Sequence, residues 1–206
     1  MEPLHALRIQ GKELPGKGAE IMKVLKIYVA GKVSPNSSFG TPFWRDEFCK
    51  ELEKKSGVGI INLDPTSRKT MPFDAEMVFG RDAFFIKSAD LVIVNLTDDI
   101  SIGGAQEMLI AKYFGRPLLG IARKGGKFAD PEKEEYGKKI NFVHPFAHVP
   151  CDAIVNDIDE AASWIKKEFP ETRKAKNIKC IDDSIKYYMK NYYEKDEIAK
   201  KTIGKK

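Results

Sequence analysis

The sequence predicts a doubly wound α/β fold, a flavodoxin-like five-stranded parallel sheet in the order 2-1-3-4-5 with helices on both faces. Two observations carry that prediction. Short runs rich in Val, Ile and Leu recur at residues 24–31, 58–63, 91–96 and 117–122, with a weaker one at 152–155, and segments of helical apolar period lie between them. The runs are also nearly continuous in apolar residues, as strands are when helices cover both faces of a parallel sheet.

In chain order, Val24-Leu25-Lys26-Ile27-Tyr28-Val29-Ala30 is a β-branched run stopped by Gly31. The first helix opens at Thr41-Pro42, an N-cap residue followed by proline in the first helical position, and places Trp44, Phe48 and Leu52 on one face. The second helix opens at Asp74, the third near Gly103, and the fourth at Asp157, where Ile158, Ala162, Ile165 and Phe169 form the apolar face. Residues 1–23 show polar Gly-containing stretches without sustained period and read as an extension. Residues 24–170 read as the α/β domain and 171–206 as a basic helical tail. In that tail Ile178, Ile181, Ile185, Tyr188, Met189 and Tyr192 form an apolar stripe expected to pack on a neighbouring helix or subunit.

Charge and composition exclude several classes. Of the net +5, all comes from residues 171–206, which hold 11 Lys/Arg against 6 Asp/Glu. A neutral core with a basic tail is not the footprint of a nucleic-acid-binding surface. No apolar run approaches the roughly 18 residues of a membrane span, and the N-terminus lacks the apolar stretch of a secretory signal. Three cysteines, Cys49, Cys151 and Cys180, stand at unrelated spacings, which fits a reducing compartment. The expectation is a soluble cytoplasmic protein without nucleic-acid or membrane partners.

In open α/β sheets a ligand sits beyond the carboxyl ends of the strands where the winding reverses, here between the first and third strands. The loops to search are therefore 31–41 and 97–104. Two carboxylates on the adjoining helices stand out. The helical neighbours of Asp82 are Val78, Phe79, Phe85 and Ile86, all apolar, so its side chain lies in the stripe expected to face the sheet. Glu107 heads a similar stripe with Ile110, Ala111 and Phe114, close to a helix start at Gly103-Gly104. The positive end of that helix favours an ionised carboxylate, and the glycines admit a ligand close to the backbone. The plain alternatives are a structural acid bound to a buried Arg for Asp82 and a dipole-complementing acid for Glu107. Together, two inward acids at one crevice match retaining glycosidic cleavage, with Glu107 as ionised nucleophile and Asp82 as the acid assisting the leaving group. The residues themselves do not name the sugar.

The ordered series Lys26-Ile27-Tyr28-Val29-Ala30-Gly31, Phe43-Trp44-Arg45, Asp64-Pro65, Arg81-Asp82, Ser88-Ala89-Asp90-Leu91-Val92-Ile93-Val94, Gly103-Gly104-Ala105-Gln106-Glu107-Met108 and Gly115-Arg116-Pro117 resembles the nucleoside 2-deoxyribosyltransferase family, which includes the 2'-deoxynucleoside 5'-monophosphate N-glycosidases. The resemblance runs from about residue 25 to 169. It implies that Glu107 is the nucleophile, that Asp82 assists protonation of the departing base, and that Tyr28 positions nucleophile or sugar. It implies a substrate contact surface drawn from Gly31, Lys32, Ser34, Trp44, Asp64, Ser101, Gly103 and Gly104. It further implies a deoxynucleoside or deoxynucleotide and a nucleobase as partners, no cofactor, and a homo-oligomer. Ser101, six residues before Glu107, stands where the transferases often carry aspartate and the monophosphate hydrolases serine. The stretch Lys32-Val33-Ser34 lacks the arginine common in the hydrolases, and Gly104-Ala105 replaces a frequent Gly-Thr. Transfer to a base and transfer to water both remain open, as does a non-catalytic nucleotide sensor on the same fold.

Other motifs give less. His144 and His148 are four apart, but prolines at 145 and 150 argue against a helix that would pair them, so no metal is expected. Neither a Gly-x-Gly-x-x-Gly fingerprint nor a phosphate-binding P-loop is present.

Overall fold

The computed structural model of the protein describes residues 24–32, 44–67, 74–97, 99–169 and 175–203. The extension at 1–23, the helix start at Thr41-Pro42 and Ser34, Ser37 and Ser38 of the first loop lie outside the described residues.

Five parallel strands form the sheet: β1 (Val24–Ala30), β2 (Gly59–Asn62), β3 (Leu91–Asn95), β4 (Leu118–Ile121) and, after an inserted hairpin, β7 (Ala153–Val155). Their order is β2-β1-β3-β4-β7, which is the 2-1-3-4-5 order expected, counting sheet strands alone. Register pairs Tyr28 with Val92 and Val92 with Leu118. Successive side chains point to opposite faces of a strand, and β1 divides accordingly. Ile27 and Val29 face helices α1 (Trp44–Ser56) and α5 (Ile158–Lys167), packing with Trp44, Phe48, Leu52, Ala161, Trp164 and Ile165. Tyr28 and Ala30 face α2 (Ala75–Ser88) and α3 (Ile102–Tyr113), packing with Ile86, Met108 and Ala111. Tyr28 is thus aimed at the helices that carry Asp82 and Glu107.

Helix starts follow the expected chemistry. Asp74 accepts a hydrogen bond from the Met77 amide at 2.7 Å, and Asp157 accepts one from Glu160 at 2.9 Å, each satisfying an orphan donor of a first turn.

Two features differ from the sequence reading. An antiparallel hairpin, β5 (Ala129–Glu135) and β6 (Lys138–Val143), stands between β4 and β7. Its strands lack apolar alternation and are held by charge: Lys139 pairs with Glu132 at 2.9 Å, and the Lys133 ammonium sits 3.6 Å from the Phe142 ring centroid. A single-turn helix, α4 (Pro145–His148), also forms despite its proline. Pro145 occupies the first helical position, where no amide hydrogen is needed. His144, the residue ahead of it, packs its ring against Phe128 at 5.4 Å and Phe142 at 6.3 Å, an aromatic surround that gives this histidine a packing role.

Beyond the sheet lie α6 (Cys180–Asn191), a short 3-10 turn and α7 (Glu197–Ile203). The segment before α6 is tied to the domain through Asp152. Oδ2 of Asp152 meets Lys112 Nζ at 2.6 Å and accepts from the Leu118 amide, while Oδ1 accepts from the Lys176 amide at 2.6 Å. Lys176 Nζ in turn donates to the Val149 and Cys151 carbonyls. Lys112 is fully buried, so Asp152→Ala would strand an ammonium in the core. The expected cost is about 3–5 kcal/mol of stability by denaturant unfolding, with Lys112→Met in the same background restoring most of it. An Asp152→Ala protein as stable as wild type would contradict this assignment.

Candidate active site

The crevice between β1 and β3 holds a compact set of ionisable groups. From β1, Tyr28 donates its hydroxyl hydrogen to Glu107 Oε1 at 2.8 Å. Tyr28 is fully buried, and burial together with the Glu107 and Asp82 charges pushes its pKa far above the ordinary phenol value. It therefore stays a neutral donor. Glu107 is half-buried in the second turn of α3. Burial raises its pKa above the ordinary value, the Tyr28 hydrogen bond lowers it, Asp82 raises it and Arg45 lowers it. Among the described residues, Oε2 of Glu107 carries no hydrogen bond, so one carboxylate oxygen is oriented and the other is open.

This corrects one part of the sequence argument. Glu107 is the sixth residue of α3, past the first turn where the dipole acts, and Ser101 Oγ accepts from the Gly104 amide at 3.1 Å as the helix N-cap. Burial, the largest influence, raises the Glu107 pKa, and the Tyr28 hydrogen bond is the main influence that lowers it.

Asp82 lies midway along α2, half-buried, with Oδ1 3.6 Å from Arg81 Nη1. Its charge reaches both Tyr28 and Glu107. The apolar stripe expected around it is only partly core. Ile86 is buried and Phe85 packs against the Tyr28 side of the core, but Phe79 is 58% exposed. Arg81 straps α2 to the loop after β2, donating to the Pro65 and Ser67 carbonyls at 2.9 and 2.8 Å and lying over the Phe85 ring. That grip sets the rotation of α2 and so aims Asp82.

The remaining expected contact residues separate into groups. Gly103 borders the site: a Cβ there would lie 4.0 Å from Glu107 Oε1, an ordinary contact distance. Gly104 is packed, its would-be Cβ 3.0 Å from Ile100. Gly31 lies at the end of β1, where a Cβ would come within 3.1 Å of the Trp44 indole. Lys32 reaches Asp99 at 3.5 Å, joining the loops after β1 and β3 across the crevice. The Asp64 carboxylate accepts from the Thr66 amide and hydroxyl at 2.8 and 2.7 Å, folding the loop after β2. Trp44 is a correction. It is fully buried, its indole Nε1 donates to the Lys32 carbonyl at 3.0 Å, and it offers no surface to a ligand; it holds the first loop from beneath.

Sequence reasoning quoted Arg45 and Arg81 but gave neither a role in the site. Arg45 is 2% exposed, donating from Nε to the Val29 carbonyl at 2.9 Å and from Nη2 to the Gly31 carbonyl at 2.8 Å. A signal was present: Arg45 precedes Phe48 by three and Cys49 by four, which places it on the buried face of α1.

No protein-family model matches the sequence, and no curated protein matches it by sequence. Solved structures resemble it to differing degrees. A conserved protein from Enterococcus faecalis V583 superposes with a TM-score of 0.52 at 16% identity, covering 70% of this chain and 98% of that one. A 2-desoxiribosyltransferase from Leishmania mexicana has a TM-score of 0.47 at 20% identity, with 70% and 98% covered. The Clostridium botulinum CMP N-glycosidase has a TM-score of 0.40 at 16% identity, with 68% and 96% covered. The likeness to the Enterococcus protein concerns architecture, and on it the chain takes its place among doubly wound α/β domains of that fold.

Proposed function

We propose that the protein cleaves the N-glycosidic bond of 2'-deoxynucleosides or their 5'-monophosphates through a covalent deoxyribosyl–Glu107 intermediate and passes the sugar to another nucleobase. The observation that carries this reading is the 2.8 Å hydrogen bond from Tyr28 to one oxygen of Glu107, at the switch point of the sheet, with the Asp82 charge raising the pKa of both. Tyr28 orients the carboxylate. The open Glu107 oxygen attacks the anomeric carbon as the bond to the base breaks, and Asp82, having taken up a proton from solvent as substrate binds, delivers it to the departing ring nitrogen. In the second half the acceptor loses its proton to Asp82 as it displaces Glu107. A 2'-hydroxyl withdraws electrons from the developing positive charge, so the deoxy sugar reacts more readily.

Water is the alternative acceptor, favoured by Ser101 at the mouth of α3. Its oxygen accepts the Gly104 amide as a cap, leaving the hydroxyl hydrogen to donate to a phosphate. Ser101→Ala is expected to cost about 1 kcal/mol of stability from the lost cap. For a phosphorylated substrate alone it should also lose about 1–3 kcal/mol of transition-state stabilisation. Equal effects on kcat/KM for nucleoside and monophosphate would remove the phosphate reading. One assay separates the classes: a deoxynucleoside, its 5'-monophosphate and a free acceptor base, with the bases resolved by chromatography. Base exchange marks a transferase, free base alone a hydrolase, and binding without turnover a sensor.

The proposal includes a homo-oligomer, since Phe79 and Phe84 on α2 and Ile102, Leu109 and Tyr113 on α3 are exposed beside the site; sedimentation at micromolar concentration tests it. A role in nucleotide salvage in the cytoplasm accords with three free cysteines, of which Cys49 and Cys151 are buried.

A further inference from the structure

We propose a second binding site, for a small phosphate monoester with an apolar body, in the cavity beyond the ends of β3, β4 and β7. The cavity measures about 500 Å³, within the range of small-molecule sites. Register sets Asn95 beside Ile121 and Ile121 beside Val155, so the three strands end level and the loops that follow them form one rim. Ligands of open α/β sheets gather beyond such carboxyl ends. Phe48 and Ile121, which line the cavity, belong to the α1 and α5 side of the sheet, whereas Tyr28 and α3 pack on the opposite side. The proposal therefore does not depend on the reading of Glu107.

The lining divides by chemistry. Buried Phe48 and Ile121, with Ile158, form an apolar floor, and the exposed Arg123 and Lys124 stand at the rim. Neither cationic side chain has an ion pair or hydrogen bond among the described residues. The acids of the surrounding loops are committed elsewhere. Asp99 holds Lys32 and Lys127, Asp157 caps α5 by accepting from the Glu160 amide at 2.9 Å, and Glu160 accepts from Asn156. On the cavity wall, Asn95 Oδ1 accepts from the Thr97 amide and hydroxyl at 3.1 and 2.7 Å, which leaves the Asn95 side-chain nitrogen as a donor.

The turn that carries the two cations is fixed by hydrogen bonds. The Gly126 amide donates to the Arg123 and Ala129 carbonyls at 3.0 and 3.1 Å, and Lys124 pairs with Ala129 at the base of the β5–β6 hairpin. Gly125 has a φ of +75°, and a Cβ on Gly126 would lie 2.9 Å from the Arg123 carbonyl oxygen. The two glycines let the chain reverse immediately after Lys124, so neighbouring charges are held at the cavity before any ligand arrives, and less ordering is left for binding to supply. A pair of cations suits a doubly charged group, and a phosphate monoester carries about −1.5 to −2 at neutral pH. The apolar floor suits a flat or aliphatic body behind it.

Phenyl phosphate, titrated into the 15N-labelled full chain and followed by NMR and calorimetry, tests the site. The amide signals of Asn95, Thr97, Lys124 and Asn156 should shift together. Inorganic phosphate, which lacks the body, and benzoate, which lacks the second charge, should each bind about tenfold or more weaker. Arg123→Gln/Lys124→Gln changes only exposed side chains and should weaken phenyl phosphate by about tenfold or more, whereas Ser101→Ala should leave its affinity unchanged. Undiminished binding in the Arg123→Gln/Lys124→Gln protein, shifts confined to Gly103 and Gly104, or no shift at millimolar ligand overturns the proposal. Inorganic phosphate or benzoate binding as tightly as phenyl phosphate overturns it as well.

Discussion

Glu107→Gln is expected to lower turnover of a deoxynucleoside by about 10³-fold or more while leaving the fold intact, because an amide lacks the nucleophilic oxygen a covalent route requires. The substitution is isosteric, and the amide oxygen can still accept the Tyr28 hydroxyl, which meets Oε1 at 2.8 Å in the native protein. Geometry and chemistry are thereby separated. A stability effect of opposite sign should accompany the loss. Burial raises the Glu107 pKa in the folded protein, so its contribution is fully favourable below the unfolded value and is lost as pH rises through the folded value. At neutral pH the wild type therefore carries an uncomfortable charge that the glutamine variant lacks. The variant should melt at the higher temperature at pH 7, and the difference should close below the ordinary glutamate range, about pH 4. Near wild-type turnover in Glu107→Gln would refute the nucleophile assignment.

Asp82→Asn is expected to slow cleavage of ordinary purine and pyrimidine deoxynucleosides by about 10²–10⁴-fold, the usual contribution of a positioned general acid. Substrates with activated leaving groups should lose far less, because their departing base needs no proton. The ratio of the two losses is the informative quantity. A structural role for Asp82, held beside Arg81 at 3.6 Å, predicts equal losses on both, through misplacement of α2. Measuring kcat/KM for one natural and one activated substrate in each protein distinguishes the two.

The sheet order was legible because buried parallel strands write themselves as continuous apolar runs, and two helix starts because Asp74 and Asp157 lie where caps are needed. Ser101 was read as a binding hydroxyl rather than a cap, since a serine ahead of paired glycines serves either purpose. The hairpin at β5 and β6 escaped because its strands are joined through Glu132–Lys139 and Lys133–Phe142 contacts, which leave no apolar period. Trp44 was expected among the substrate contacts and is instead the support under Gly31 and Lys32; an aromatic residue on a buried helix face carries the same pattern as one at a pocket wall. Helical spacing singled out Asp82 and Glu107, whereas Tyr28 came from the resemblance. Arg45 stood in the ordered series without a role of its own, although its spacing to Phe48 and Cys49 placed it inside.

The covalent step is tested most directly by catching it. Enzyme mixed with a 2'-deoxynucleoside in the absence of an acceptor base, quenched in acid within the first turnovers and digested, should yield the peptide containing Glu107 heavier by one deoxyribosyl group. Glu107→Gln treated alike should show none. Full turnover with every peptide unmodified, or the same added mass in the Glu107→Gln protein, would contradict a sugar–Glu107 bond.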